Sequence, residues 1–169
     1  KGSVDVNSSI AGSNNWVETG LAPNQLYGRM AQAVTSSSET VSSSILNKAT
    51  LASEPGALPF ANVSDNSLTG RWSAQNNPSI TQYTFQLARS SSYASPDLTI
   101  TLSGTVQFTF SSLLSNTTYF VRVKAINQES VETAYTDLGS TVTRASTLPY
   151  PVLTNAATGS IDALIEPEI

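Results

Sequence analysis

Side chains that could take part in chemistry are few in this sequence. The chain of 169 residues contains 12 Asp and Glu, 8 Lys and Arg, and neither His nor Cys. Without imidazole or thiol groups, Ser-His-Asp relays, cysteine nucleophiles and nearly all transition-metal sites are excluded. The sequence therefore predicts a protein that is not an enzyme and that carries no cofactor.

The densest acidic group lies near the end of the sequence, at Asp162, Glu166 and Glu168. Carboxylate oxygens are the ligands that calcium prefers. A solvated acidic segment is the simpler interpretation, because Asp and Glu are rarely buried without a partner. The sequence thus predicts no metal site, and calcium is the one ion that this group leaves open.

Charge and composition exclude two further classes of function. The net charge is -4 and no basic run is present, which argues against binding to nucleic-acid phosphates. No apolar stretch approaches the roughly 18–20 residues that span a bilayer. Ser and Thr together fill 47 positions. A chain rich in Ser and Thr, poor in Lys and free of Cys is typical of a secreted or cell-surface protein, here expected to be microbial.

The elements that position these residues are short strands. In "TYFVRVKAI" (118–126), Tyr119, Val121 and Val123 alternate with Phe120 and Arg122, which is the two-residue period of a β-strand. Gly and Pro interrupt the chain at intervals of about 8–15 residues, and no segment has a sustained helical period. The fold is predicted to be all-β.

An internal repeat of about 93 residues organises the chain. "LLSNTTYFVRVKAIN" (113–127) is preceded by a looser copy, "LAPNQLYGRMAQAVT" (21–35). The matched pairs, with offsets of 92 or 93, are Leu21 with Leu113, Tyr27 with Tyr119, Thr50 with Thr143, Leu68 with Ile161, and Trp72 with Ile165.

A Trp on the second strand, followed by Leu-x5-Tyr and an alternating strand, resembles the fibronectin type III domain. The Leu113 and Tyr119 pair resembles the tyrosine corner of such sandwiches, in which the Tyr hydroxyl bonds to upstream backbone. The resemblance implies an Ig-like two-sheet β-sandwich of seven strands. It implies the core residues Trp72, Leu113, Tyr119, Val121 and Val123.

The sequence is cut out of phase with this repeat. Residues 1–53 are expected to be the C-terminal half of one unit, 54–145 a complete unit, and 146–169 the first strands of a further unit. A half sandwich leaves an apolar face and unpaired edges open. We therefore expect residues 1–53 to accept strands from a neighbouring copy or from a longer parent chain.

The residues predicted for this assembly fall into two sets. The accepting half unit contributes Trp16, Leu21, Tyr27 and Met30, and the tail contributes Val152, Ile161, Leu164 and Ile165. Trp16 also suits stacking on a sugar ring. However, it matches Phe108 in the repeat, which favours a position in a strand and in the core.

Two main hypotheses of function remain. The first is a structural subunit of a surface or filament, with itself as partner through head-to-tail β-strand complementation. The second is a spacer or ligand-binding array in a larger secreted adhesin or glycan-degrading enzyme. A bacteriophage virion module is a third. All three place the protein outside the cell or on its surface, or on a virion.

Overall fold

The computed structural model describes residues 17–147 and 152–164, and within these ranges all regular structure is β. Residues 17–52 contain β1 (Leu26–Arg29), β2 (Gln32–Val34), β3 (Thr40–Ser42) and β4 (Leu46–Ala49). Residues 54–145 contain β5 (Gly56–Ala61), β6 (Leu68–Ser73), β7 (Gln82–Ala88), β8 (Leu98–Ser103), β9 (Gln107–Phe110), β10 (Thr118–Ile126) and β11 (Thr136–Val142). Residues 152–164 contain β12 (Val152–Ala157) and β13 (Ser160–Leu164).

Strands β5 to β11 form a sandwich of two antiparallel sheets. One sheet has the order β5-β6-β9, and the other has the order β11-β10-β7-β8. Non-consecutive neighbours in both sheets mean that the chain crosses from one sheet to the other, as it does in Greek-key sandwiches. The predicted all-β sandwich is confirmed, with additional strands outside this unit.

The core lies between the two sheets because inward-facing positions alternate with outward-facing ones. Along β10 the buried positions are every second residue from Tyr119 to Ala125. Trp72 on β6 packs against Tyr83 and Phe85 on β7, with ring centroids 5.6 and 5.5 Å apart. The buried cluster is Leu68, Trp72, Tyr83, Phe85, Leu87, Phe110, Tyr119, Val121, Val123, Ala125 and Leu138, and the half-buried Leu113 packs against it.

Residues 17–52 form a long hairpin with a break in the middle. β1 pairs with β4, and β2 pairs with β3. The single strand that the repeat places over 27–33, as the counterpart of β10, is divided at Met30 and Ala31. There the Ala31 N–H donates to the Ser43 hydroxyl at 2.9 Å, and the Ala31 carbonyl accepts the Ser43 N–H at 2.8 Å. In the described part of this segment no second sheet covers the hairpin.

Strands β12 and β13 form a second hairpin, closed by Thr158 and Gly159. Gly159 has a φ of 93°, a backbone conformation that residues with a side chain rarely adopt. The hairpin is a two-stranded sheet of its own. β13 begins at Ser160, close to where the 93-residue offset places the counterpart of Leu68.

Candidate interaction surfaces

Two tyrosine corners are present, one in each of the first two units. The Tyr119 hydroxyl accepts the backbone N–H of Leu114 at 3.0 Å. The Tyr27 hydroxyl accepts the N–H of Ala22, also at 3.0 Å and five residues away. The corner is therefore formed even in residues 17–52, where the described chain shows no facing sheet.

A threonine closes each corner with the same set of bonds. The Thr143 hydroxyl donates to the Leu114 carbonyl at 2.6 Å and accepts the Thr117 N–H at 3.0 Å. The Thr50 hydroxyl donates to the Ala22 carbonyl at 2.7 Å and accepts the Gln25 N–H at 3.0 Å. The repeat that pairs these two threonines in the sequence thus extends to individual hydrogen bonds.

The first corner docks on two loops of the complete unit, loop 74–81 and loop 127–135. Asn24, at 1% exposure, donates from its side-chain amide to the Thr81 hydroxyl at 2.7 Å. Its side-chain oxygen accepts the Gln128 N–H at 2.8 Å, and its backbone carbonyl accepts the Gln128 side-chain amide at 2.8 Å. These buried polar groups are paired, so the bonds define the relative position of the two units.

Glu129 adds a charged contact to this junction. One carboxylate oxygen accepts the Ala49 N–H at 2.7 Å, and the other forms an ion pair with Lys48. The hydrogen bond from Lys48, followed by that from Ala49, holds the pKa of Glu129 below its usual range. Asn127 donates to the Thr50 carbonyl at 3.1 Å. The junction is polar, as interfaces between domains of one chain usually are.

Sequence reasoning missed the residues of this junction. Asn24 is followed by Gln25 and Leu26 in a stretch that predicts only a turn before a strand. Glu129 lies in the loop between β10 and β11, where the sequence pattern indicates no partner for it. The partner of Asn24 lies 104 residues away at Gln128, and no periodic pattern reports a contact of that kind.

The accepting residues predicted in the half unit differ in their exposure. Leu21 and Tyr27 are half-buried, whereas Met30 is 55% exposed at the break between β1 and β2. The neighbour of Tyr27 is instead Arg29, whose guanidinium lies 5.2 Å from the ring centroid. Trp16 lies outside the described residues.

Arg29 forms a bidentate ion pair with Glu18, with distances of 2.8 and 2.7 Å. These two residues lie 92 positions before Val121 and Phe110, both in the core of the complete unit. The hydrogen bond from Arg29 lowers the pKa of Glu18. A charged pair therefore occupies two core positions of the half unit, and the repeat offset was the signal that could have revealed it.

Several large apolar side chains of residues 17–52 are exposed, and one of them, Leu46, lies opposite Arg29 on the paired strand. Leu46 is 74% exposed and Val41 is 68% exposed. The others of residues 17–52 that are more than half exposed are Val17, Leu26, Met30, Val34, Ile45 and Leu51. Extensive exposed apolar surface in a folded domain usually marks an interaction site.

The tail residues lie on the second hairpin or beyond it. Val152 pairs with Leu164 across β12 and β13, and Ile161 pairs with Ala156. Ile161 is 63% exposed. Ile165 lies outside the described residues. The tail therefore presents at least one apolar side chain that is available to another surface.

A cationic and aromatic cluster covers the outer face of the four-stranded sheet. The Arg122 guanidinium lies 4.1 Å from the ring centroids of both Tyr93 and Tyr135. Its Nε donates to Gln86 at 2.8 Å, and Lys124 lies 4.8 Å from the Tyr135 ring. Burial raises the pKa of Tyr93 to about 12. The cluster is held by cation–π contacts, and the Tyr93 hydroxyl stays protonated near neutral pH.

Two further features are absent from the described residues. Across 17–147 and 152–164 there is no group of three or more Asp or Glu side chains placed to hold a metal ion. Glu166 and Glu168 lie outside these ranges, so the calcium interpretation stays a prediction. No helix of the described chain is long and apolar enough to cross a membrane.

Comparison with protein families identifies the domain. The profile of the family described as "Fibronectin type III domain" matches residues 53–137, which is half of the chain. The chain belongs to the fibronectin type III family, and the resemblance seen in the sequence is confirmed. Domains of this family are typically non-catalytic and are common in extracellular proteins. A comparison with curated protein sequences gives no match.

Solved structures show the same fold. A two-domain fibronectin type III segment of chicken tenascin is 16% identical, with a TM-score of 0.54 over 70% of this chain and 65% of that one. The fn3 domain of human collagen α-1(XX) is 22% identical, with a TM-score of 0.49 over 58% of this chain and 90% of that one. At these identities the likeness shows the fold alone.

Proposed function

We propose that this protein is a non-enzymatic extracellular structural protein, a self-assembling subunit of a surface or filament. In this proposal the open half unit, residues 1–53, is completed by the tail, residues 146–169, of a neighbouring copy. The observation that carries the proposal is the set of exposed apolar side chains in residues 17–52, of which Leu46 and Val17 are the most accessible.

The repeat specifies how the tail of one copy would pair with the half unit of another. In the complete unit Leu68 on β6 pairs with Phe110 on β9. Their counterparts are Ile161 and Glu18. Added strands supply backbone hydrogen bonds and bury alternate apolar side chains. Because donor and acceptor are different surfaces, such contacts are heterologous and extend into fibres.

The Arg29 and Glu18 pair would be covered in this assembly. A buried ion pair contributes little net stability, because desolvation offsets its electrostatic attraction. The Arg29 guanidinium already donates two hydrogen bonds to the Glu18 carboxylate. The free energy of assembly would therefore come from the apolar side chains around the pair, such as Leu46 and Ile161.

A second candidate is a spacer or ligand-binding array within a larger secreted protein, such as an adhesin, a glycan-degrading enzyme or a phage virion protein. The observation that favours it is the junction at Asn24, where two consecutive units are fixed by hydrogen bonds. The half unit would then be completed by strands of the same parent chain. Both candidates share a non-enzymatic, structural role for the described units.

Deletion of residues 150–169 tests self-assembly. If a neighbour's tail completes the half unit, the full chain should form concentration-dependent oligomers in sedimentation experiments, and the deleted chain should be monomeric. Residues 17–52 of the deleted chain should also be cleaved faster by protease. If the deleted chain assembles and resists protease like the full chain, the tail is a linker and the proposal is wrong.

A point variant tests whether the Ile161 side chain itself contributes to association. Ile161→Asp places a charge on the strand expected to be buried and should lower the association constant at least tenfold. Val106→Asp is the matched control, since Val106 is also a branched aliphatic residue, 45% exposed, in another part of the chain. Equal effects of the two variants would contradict a specific role for Ile161.

A further inference from the structure

The second tyrosine corner, at Tyr119, has the same backbone conformation as the first, at Tyr27. However, no unit docks on the second corner in the described chain. Asn116 and Asn24 have φ values of 48° and 46°. The Asn24 N–H donates to Leu51 at 2.9 Å, and the Asn116 N–H donates to Arg144 at 3.1 Å. Asn24 is buried by the following unit, whereas Asn116 is exposed. The two corners thus differ in occupancy and not in shape.

The left-handed conformation points to a reason for asparagine at both corners. Asn tolerates this region better than most residues with a side chain. At the first corner the side chain has a further use, since it binds Thr81 and Gln128. The Asn116 side chain makes no hydrogen bond within the described ranges, so its amide and carbonyl groups are available.

We propose that the Asn116 corner is a docking surface for a following fibronectin type III unit that is in phase with the repeat. The partner would present a hydroxyl at the position of Thr81 to accept the Asn116 amide. It would present a backbone N–H at the position of Gln128 to bind the side-chain oxygen. These are the two contacts that bury Asn24.

The chain beyond the corner supports this partner. At the first junction the Ser53 N–H and carbonyl both bond to the Asn77 side chain at 2.8 Å. The counterpart of Ser53 is Ser146, and β13 begins near the counterpart of Leu68. The second link therefore carries the same polar residue, a serine, at the position that bonds to Asn77 in the first junction.

The charged part of the first junction is not repeated. The counterpart of Lys48 is Thr141, so a carboxylate at the position of Glu129 would have no lysine partner. The second junction is expected to depend on the amide of Asn116 to a larger extent. A substitution at Asn116 should therefore have a clear effect there.

An intact second copy of the chain is not the expected occupant. Its Thr81 and Gln128 are already bound by its own Asn24. The occupant must be a unit whose loops are free. The inference therefore rests on the tandem arrangement and does not depend on what completes residues 1–53.

A fusion of known composition tests the proposal. Residues 54–145, which contain the whole core cluster, are joined after residue 146, so that the added unit follows in phase. Its Gln128 amide should exchange with solvent about tenfold more slowly than in residues 54–145 alone, because it would gain a buried hydrogen bond. Preserved chemical-shift dispersion of the added unit confirms that it is folded.

Variants of the fusion assign this protection to the corner. Asn116→Ala should return the added Gln128 amide to its rate in the isolated unit, whereas Asn24→Ala should affect only the first junction. Asn62→Ala is the matched control, since Asn62 is also exposed with a positive φ of 52° and lies outside the two docking loops. An unprotected added amide, or protection that survives Asn116→Ala, would overturn the proposal. The fusion lacks the tail, so either outcome leaves strand complementation to its own test.

Discussion

The Tyr119 hydroxyl accepts the N–H of Leu114 at 3.0 Å, and the same bond joins Tyr27 to Ala22 at the same distance. Both bonds connect residues five positions apart, so a short stretch of sequence is sufficient to form the corner. The first corner is formed although no second sheet faces it in the described residues. The corner is thus a local unit of structure that can serve as a docking element between larger ones.

Removal of the Tyr119 hydroxyl should destabilise the complete unit. Tyr119→Phe leaves the Leu114 N–H without its partner in a partly buried position, and this should lower the free energy of unfolding by about 1–3 kcal/mol. Urea denaturation measures the change. Tyr27→Phe is the matched variant, and its effect should be smaller because water can replace the hydroxyl at the exposed Ala22. A larger loss for Tyr27→Phe would contradict this account.

Truncation of Trp72 should have a larger effect than loss of one hydrogen bond. Trp72 is 1% exposed and contacts two aromatic rings, so Trp72→Ala should cost about 3–5 kcal/mol of unfolding free energy by opening a cavity. Trp72→Phe should cost less, since it keeps an aromatic ring and removes a buried Nε1–H that has no partner among the described residues. A loss below about 1 kcal/mol for Trp72→Ala would mean that the core is wrongly assigned.

The junction should weaken in acid. The pKa of Glu129 is lowered in the folded state, chiefly by Lys48, so its contribution is complete above the unfolded pKa and is lost as the pH falls through the lower folded value. The chemical shift of the Ala49 amide, which donates to Glu129, should report a midpoint below the ordinary value of 4.5. Lys48→Ala should move the midpoint upward. An unchanged midpoint would show that Lys48 does not set this pKa.

Much of the fold follows from patterns that are local or periodic. Alternation along β10 placed Tyr119, Val121 and Val123 on one face, and all three lie in the core cluster. The repeat paired Thr50 with Thr143, which make matching hydrogen bonds. Such features are predictable because backbone geometry links spacing in the sequence to direction in space.

The interaction surfaces were harder to predict, for two physical reasons. The junction joins polar loop residues far apart in sequence, such as Asn24 and Gln128, and polar loop residues carry no periodic signal. In the half unit, Met30 was expected to belong to the accepting surface together with Tyr27, but the neighbour of the Tyr27 ring is Arg29, which pairs with Glu18. Hydrophobicity alone does not anticipate a charged pair at a core position.

The central claim is that the tail of one copy pairs with the half unit of another, and the absence of native cysteine permits a direct test. In the complete unit the hydroxyls of Thr69 and Thr109 lie 2.8 Å apart on paired strands. Their counterparts are Asp162 and Val17. Residues paired in this way across antiparallel strands have Cα separations within the range that a disulfide can bridge.

The measurement is disulfide formation in an equal mixture of two variants of different mass, Val17→Cys and Asp162→Cys, under mild oxidation. If the tail of one copy pairs with the half unit of another, the mixed 17-to-162 dimer should predominate over both same-site dimers. Ile161→Asp introduced into the second variant should reduce its yield. If the mixed dimer forms no more often than random pairing allows, the tail of one copy does not occupy the half unit of another.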